Sequence, residues 1–369
     1  MNFDLTDEQE IVRDLAVQIF DGQASIDRLK ELERSNDFDR ELWKALADAN
    51  LLGLCLPEAV GGSAMNMVAF ALLAEQQGQH VAPVPLVPTV LTAITIAEAG
   101  GPELRSILAR VIDGSLVLTS ALAEAGANDV LSPTTIATPT LDGVHLRGFR
   151  PAVPYAQHAA FVLVPARDVD GTVALFAIET SAPGVTIEPV ETTDRQPAAH
   201  VTLDYDVPAA HRLGDATTLA ALYNRWLVAL CAQQLGLAQG SLALTAEYVR
   251  TRQQFGKPLS SFQAVSQRAA DAYITTEALR VTTMNAAWRL DEGLNAANDV
   301  LVAAFWASEG GQQVVLTGQH LHGGIGADVD YPVHRYFLWS SQLANTLGTA
   351  SSHLARLGSR IAQPTDVAS

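Results

Sequence analysis

The spacing of apolar residues changes twice along this chain of 369 residues. Residues 1–117 place apolar side chains at helical spacing, residues 118–212 form short β-rich runs, and residues 213–369 return to helical spacing. The chain is also longer than a typical single domain. The pattern therefore predicts a mainly α protein with a central β domain: an N-terminal helical domain, a small β-barrel or sandwich, and a C-terminal four-helix bundle.

Local signals place the individual elements. Thr6 and Gln9 have the spacing of a capping box at the start of the first helix, and a second helix is predicted near residues 40–49. Seven β-rich runs are separated by turn residues such as Asp-Gly pairs; they are 116–120, 134–137, 144–148, 159–164, 173–178, 185–189 and 200–203. Four long C-terminal helices are predicted at 217–251, 262–292, 296–320 and 332–361.

Charge excludes some classes of partner. The net charge is −17, whereas binding along a nucleic-acid backbone needs clustered Lys and Arg. An anionic membrane surface would also repel the chain. The most apolar stretch begins at Thr217, but it contains Asn224 and Arg225 and is interpreted as a core helix rather than a membrane span. We expect neither nucleic acid nor membrane as a partner.

The two cysteines indicate a reducing compartment. Cys55 and Cys231 both lie in apolar runs, which is typical of buried, reduced thiols in a cytoplasmic protein. Neither has the spacing of a metal ligand, so no metal site is expected. The acidic N-terminus lacks the pattern of a signal peptide.

Three motifs occur in a fixed order along the chain. Residues 51–62 read LLGLCLPEAVGG, residues 250–265 read RTRQQFGKPLSSFQAV, and residues 321–337 begin with LHGGIG and end with PVHRYF. In this order and at these separations they resemble the motifs of the acyl-CoA dehydrogenases, along nearly the whole chain. Each motif alone would match many proteins by chance.

The resemblance implies FAD as the cofactor and assigns this chain a role in binding it. In the family these elements hold the adenosine and pyrophosphate half of an FAD whose flavin ring lies on the neighbouring subunit. The residues that match are Arg252, Gln254, Phe255, Gln263, His320, Gly323 and Gly324. His320 stands where the family often has glutamine.

The residue types fit that role on chemical grounds. A guanidinium at the end of a long helix can bind a pyrophosphate through two hydrogen bonds, and paired glycines let the backbone approach a ligand closely. Taken singly, Arg252 could be a solvated arginine and the glycines a helix C-cap. The histidines of the third motif, His322 and His334, are interpreted as structural residues.

The catalytic base of the family is missing. The family reaction removes two hydrogens from the α and β carbons of an acyl thioester, with a glutamate taking the α proton and flavin the hydride. The resemblance places that glutamate at Leu347, or in some members at Trp226 or Leu227. No acid occurs in residues 331–365 or 216–246, so no catalytic residue is predicted.

The motifs that bind the flavin ring are also altered. Residues 123–129, AEAGAND, stand where the family has Thr-Glu-Pro and Gly-Ser-Asp, and they have lost the hydroxyl groups. Pro154 stands where the family donates a hydrogen bond to the ring, and proline has no N–H. The sequence therefore predicts weak binding of a flavin ring in this chain's own β domain.

Together these features resemble the subunits without a base in the heterotetrameric acyl-CoA dehydrogenases of bacterial steroid side-chain degradation. The resemblance implies a homologous partner subunit that carries the glutamate, an acyl-CoA substrate and an electron-transfer acceptor. Two alternatives remain. One is a self-sufficient homomeric dehydrogenase that uses Asp330 or Glu247 as its base. The other is a scaffold subunit that does not contact the cofactor.

Overall fold

The computed structural model describes residues 4–127, 129–346 and 348–362. Helices occupy both ends of the chain. Seven precede the large sheet: α1 Asp7–Gln23, α2 Ile26–Ser35, α3 Arg40–Asp48, α4 Met67–Gln79, α5 Leu86–Ala99, α6 Pro102–Arg105 and α7 Leu108–Ile112. Six follow it: α8 Ala216–Thr251, α9 Gln263–Asp291, α10 Ala297–Phe305, α11 Gln312–His322, α12 Val333–Thr346 and α13 Ala350–Ala362. The predicted capping box is confirmed, because the Thr6 hydroxyl accepts from the Gln9 N–H while the Gln9 side chain accepts from the Thr6 N–H.

One large sheet lies between the two helical stretches of the sequence. Its strands are β1 Val117–Ser120, β2 Ile136–Pro139, β3 Gly143–Pro154, β4 Ala159–Asp168, β5 Val173–Glu179, β6 Val185–Val190, β7 Ala198–Pro208 and β8 Arg212–Leu213. They are ordered β6-β7-β3-β2-β4-β5-β8, and β1 pairs with β4 in parallel. Two short strands, β9 Gln253–Gln254 and β10 Lys257–Pro258, form a separate ribbon. The predicted fold class, mainly α with a central β domain, is confirmed.

Contacts divide the chain into two units. One contains Met1–Ile26, Met67–Ala82 and Leu227–Ser369, and the other contains Asp27–Asn66 and Pro83–Trp226. The second unit holds the large sheet, whose core is built mainly from alternate apolar residues of β3, β4, β5 and β7. The division into three domains at residues 117 and 212 stays a prediction.

The last predicted helix, 332–361, is wrong as a single element. It is interrupted between α12 and α13, where Gly348 has a φ of +92°, a left-handed conformation that a helix cannot contain. The third predicted helix, 296–320, is also irregular, because a π-helical segment, Trp306–Gly311, joins α10 to α11. Helical spacing of side chains continues through both irregular segments, so the spacing alone could not reveal these irregularities.

Helix α8 is a core helix of this protein. It is long and apolar enough to cross a membrane, but 78% of its most apolar 18-residue window is buried inside the structure. Its contact with α4 is unusually close, because a Cβ at Gly236 would lie 1.9 Å from the Glu75 carbonyl oxygen, and one at Gly78 would lie 2.0 Å from the Gln233 carbonyl oxygen. Glycines therefore allow the two backbones to touch.

Replacing Gly236 with alanine should lower the free energy of unfolding by about 1–3 kcal/mol, because the added methyl group would force the two helices apart. Urea denaturation measures the loss. Gly358→Ala is the control, since no atom lies within 4 Å of a Cβ built there on α13. The control should be neutral or slightly stabilising. Equal losses for the two variants would contradict the close contact.

Candidate functional site

Two predicted site residues lie on a short hairpin that follows α8. Gln254 ends β9, and Phe255 with Gly256 forms the two-residue turn into β10, with φ values of +55° and +77°. Both central residues of a type I′ turn have positive φ, which makes this hairpin tight but strained at a phenylalanine. Arg252 precedes β9, and its carbonyl oxygen accepts from the Leu259 N–H at 2.9 Å.

Gln263 is the first residue of α9. The N-cap of this helix is Phe262, which makes no side-chain capping hydrogen bond, and the first turn of the helix contains no acidic residue. The Phe262 ring lies 6.2 Å from the Phe255 ring, edge to face. The hairpin and the start of α9 therefore lie side by side.

His320, Gly323 and Gly324 lie at the end of α11. Gly323 has φ of +61° and ψ of −138°, and its N–H donates to the His320 carbonyl oxygen, which ends the helix. Apart from the adjacent residues of the chain, no atom lies within 4 Å of a Cβ built at Gly323 or Gly324, so the space beside this turn is open. The turn can accept a ligand close to its backbone.

Aromatic rings join the end of α11 to the end of α8. His322 stacks on Tyr248 with ring centroids 4.5 Å apart, its Nδ1 donates to the Gly318 carbonyl oxygen at 2.7 Å, and its Nε2 lies 3.2 Å from the Tyr331 hydroxyl. Burial lowers the pKa of His322, which favours the neutral ring. His334 Nδ1 likewise donates to the Tyr331 carbonyl oxygen. Both histidines have structural contacts.

The seven predicted cofactor residues thus lie on three segments at one end of the C-terminal helices. All seven are exposed, and Phe255 keeps 91% of its surface accessible. The positive φ of Phe255 adds backbone strain at this exposed turn. The hairpin lies beside the start of α9, and the end of α8 meets the end of α11 through the stacked rings of Tyr248 and His322.

The chemistry of this end suits an anionic group such as the pyrophosphate of FAD. Among the described residues, no carboxylate lies within ion-pair distance of Arg252, so its guanidinium is available to a ligand. The N-terminus of a long helix adds N–H groups and a partial positive charge. Arg252, Gln263 and the glycine turn would hold the cofactor.

The residues at the two alternative base positions in α8 have no side-chain group that could accept a proton from the substrate. Trp226 and Leu227 are buried apolar residues. Leu347 lies outside the described residues, as does Asn128 of the altered ring-binding motif. Of the two acids considered as unusual bases, Glu247 forms an ion pair with Arg250 on the surface of α8, and Asp330 is exposed in the loop before α12.

Residues 152–155, which would face a flavin ring, have their polar groups hydrogen-bonded within the chain itself. The Pro154 carbonyl oxygen accepts from the Thr119 hydroxyl at 2.7 Å, and the N–H groups of Ala152 and Tyr155 donate to His200 and Pro197. The Tyr155 side chain is buried, with its hydroxyl donating to Gln196 at 2.7 Å. These backbone and hydroxyl groups are therefore already hydrogen-bonded within the chain.

Sequence reasoning missed an ion pair close to this stretch. Arg150 is fully buried, and its Nη1 lies 2.8 Å from the Glu124 carboxylate. Glu124 lies in the altered motif of residues 123–129, and Arg150 lies four residues before Pro154. A charged residue of opposite sign in each stretch was the available signal.

Comparisons with known proteins agree on the family. The model for the N-terminal domain of acyl-CoA dehydrogenases matches residues 6–115, and the model for the C-terminal domain matches residues 219–362. Acyl-CoA dehydrogenase FadE27 of Mycobacterium tuberculosis is 37% identical over 376 residues, which cover 98% of this chain and 99% of the relative.

Two solved structures are similar over the same length. A variant of the Tcur3481-Tcur3483 steroid ACAD has a chain that is 47% identical, with a TM-score of 0.92 and coverage of 96% of this chain and 98% of that one. The ChsE4-ChsE5 complex from Mycobacterium tuberculosis has a chain that is 37% identical, with a TM-score of 0.94 and coverage of 99% and 100%. On sequence and fold, this chain belongs to the acyl-CoA dehydrogenase family.

Proposed function

We propose that this chain is the non-catalytic subunit of a heteromeric acyl-CoA dehydrogenase. Membership of the family makes it part of an FAD-dependent oxidoreductase that acts on CH–CH bonds. One asymmetry supports the finer assignment: the seven nucleotide-binding candidates are exposed at one end of the C-terminal helices, whereas residues 331–365 and 216–246 contain no acid.

The division of labour follows from that asymmetry. Arg252, Gln263 and the Gly323–Gly324 turn would hold the adenosine and pyrophosphate half of an FAD whose ring lies on the partner. When bound, FAD supplies the acceptor for a hydride from the acyl group. Removal of the α proton needs a positioned carboxylate, which the partner subunit would supply. Neither subunit alone would then contain a complete active site.

Similarity to other complexes suggests the partner and substrate class. The Tcur3481-Tcur3483 steroid ACAD and the ChsE4-ChsE5 complex each carry the names of two different proteins. We propose that the partner is a homologous acyl-CoA dehydrogenase subunit with the glutamate, that the substrate is a CoA thioester of a steroid side chain, and that an electron-transfer protein accepts the electrons in the cytoplasm.

Expression with and without the partner tests this proposal. We expect the chain purified alone to show no absorbance in the visible flavin bands and no desaturation of acyl-CoA. Co-expression with a homologue that carries the glutamate should give a yellow complex with one FAD for each pair of unlike chains. Replacing the partner's glutamate with glutamine should abolish desaturation and leave the flavin in place.

The opposite result would favour a homomeric enzyme. A chain that purifies alone with one FAD per copy and desaturates a thioester would need a base of its own, and the candidates are Asp330 and Glu247. The structure gives that alternative little support, because the Glu247 carboxylate is paired with Arg250 at the surface. Loss of activity in Asp330→Asn or Glu247→Gln would identify the base.

A further inference from the structure

The hairpin that precedes α9 is too small to hold its own position. Its ladder contains only two residue pairs, Gln254 with Lys257 and Gln253 with Pro258. An isolated two-stranded ribbon of this size is marginal in water, and the positive φ of Phe255 adds strain. Contacts outside the ladder must therefore fix the hairpin.

Phe262 supplies two such contacts, beside the hydrogen bond from the Leu259 N–H to the Arg252 carbonyl oxygen. The Lys257 ammonium lies 4.3 Å from the centroid of the Phe262 ring, and the Phe255 ring meets the same ring edge to face. Among the described residues, no carboxylate lies within ion-pair distance of Lys257, so the Phe262 ring is its principal described partner. A cation over an aromatic face is attracted by the negative charge of that face.

We propose that Lys257 is a positioning residue for the nucleotide site and acts through Phe262. Phe262 is the N-cap of α9, directly before Gln263. Contact of the Lys257 ammonium with this ring fixes the hairpin against the start of the helix, so that Arg252 and Phe255 on one side and Gln263 on the other keep a constant separation. This inference rests on the proposed function, because it assumes that these residues bind FAD.

Lysine has properties that suit this role. The chain contains only three lysines, Lys30, Lys44 and Lys257, and uses arginine for its other positive charges. A lysine ammonium can contact a ring face as a compact charge. The Arg252 guanidinium is planar and would present two N–H groups to a pyrophosphate.

Four variants of the co-expressed complex test the proposal: Lys257→Met, Lys257→Arg, Phe262→Leu and the double variant Lys257→Met with Phe262→Leu. FAD is removed and its rebinding is titrated by fluorescence. We expect Lys257→Met to weaken FAD binding by roughly two- to fivefold, the range of an exposed cation–π contact. Lys257→Arg should restore most of the affinity. The double variant should bind FAD no more weakly than Phe262→Leu alone.

Two results would overturn the proposal. In the first, Lys257→Met lowers FAD affinity equally in the wild-type background and in the Phe262→Leu background. Lys257 would then contact the cofactor directly, and FAD binding to the Lys257→Met variant should also depend less on salt. No loss from Lys257→Met, in a complex where Arg252→Ala does lose flavin, would remove the positioning role and leave the proposed function intact. If Arg252→Ala also has no effect, the proposed function itself fails.

Discussion

Replacing Arg252 with alanine in the co-expressed complex should release most of the bound FAD. A hydrogen bond to a charged group contributes about 1.5–3 kcal/mol, and an unpaired phosphate oxygen adds a desolvation penalty. We therefore expect FAD affinity to fall by roughly 10- to 150-fold, at about 1.4 kcal/mol for each factor of ten. Flavin content after dialysis, from the ratio of visible to ultraviolet absorbance, measures the effect.

Arg250→Ala is the matched control for this variant. Arg250 lies two residues away on the same surface, but its guanidinium is already paired with Glu247. The control should keep its flavin, because an exposed ion pair of this kind contributes little to either stability or binding. Unchanged flavin content in Arg252→Ala, with an intact complex, would favour the scaffold alternative over the shared cofactor site.

The long elements could be predicted from the sequence because they depend on local spacing. Helix α8 was predicted at 217–251 and is found at Ala216–Thr251, and α9 was predicted at 262–292 and is found at Gln263–Asp291. The break before α13 could not be predicted in the same way. Glycine occurs inside helices elsewhere in this chain, at Gly236 and Gly240, so the residue type alone does not reveal a positive φ.

The contacts within the candidate site likewise could not be predicted from the sequence. Motif order identified the residue types that suit a nucleotide, but the contact between Lys257 and Phe262 depends on how the hairpin folds back on α9. The ion pair between Glu124 and Arg150 depends on sheet order, which brings a loop after β1 next to β3. Pairings across a sheet cannot be read from either sequence segment separately.

That ion pair makes further hydrogen bonds within the sheet unit. The Glu124 carboxylate accepts from the Thr135 hydroxyl at 2.6 Å and from the Thr134 N–H at 2.7 Å, while Arg150 Nη2 donates to the Pro165 carbonyl oxygen at 2.8 Å. Burial alone would raise the pKa of Glu124, but the hydrogen bonds from Thr135 and Arg150 and the charge of Arg150 outweigh it and lower the pKa from 4.5 to about 2.

Removing one partner of this pair should be among the most destabilising single changes in the chain. We expect Glu124→Gln to cost about 3–5 kcal/mol in urea denaturation of the complex at pH 7, because it leaves the fully buried Arg150 guanidinium without a counter-charge. The double variant Glu124→Leu with Arg150→Met should recover much of that loss, since it removes both charges. A double variant as unstable as Glu124→Gln would show that side-chain shape, rather than charge, holds this region.

The same pair predicts a pH dependence with a definite sign. The folded pKa of Glu124, about 2, lies below its ordinary value of 4.5, so the stability that the carboxylate contributes is fully present above about pH 4.5 and is lost as pH falls toward 2. Glu124→Gln has no proton to gain, and its free energy of unfolding should therefore fall less steeply than that of the wild type over this interval. Parallel pH profiles for the two proteins would mean that Glu124 does not carry the low pKa, and the ion pair would then contribute little to the stability of the sheet.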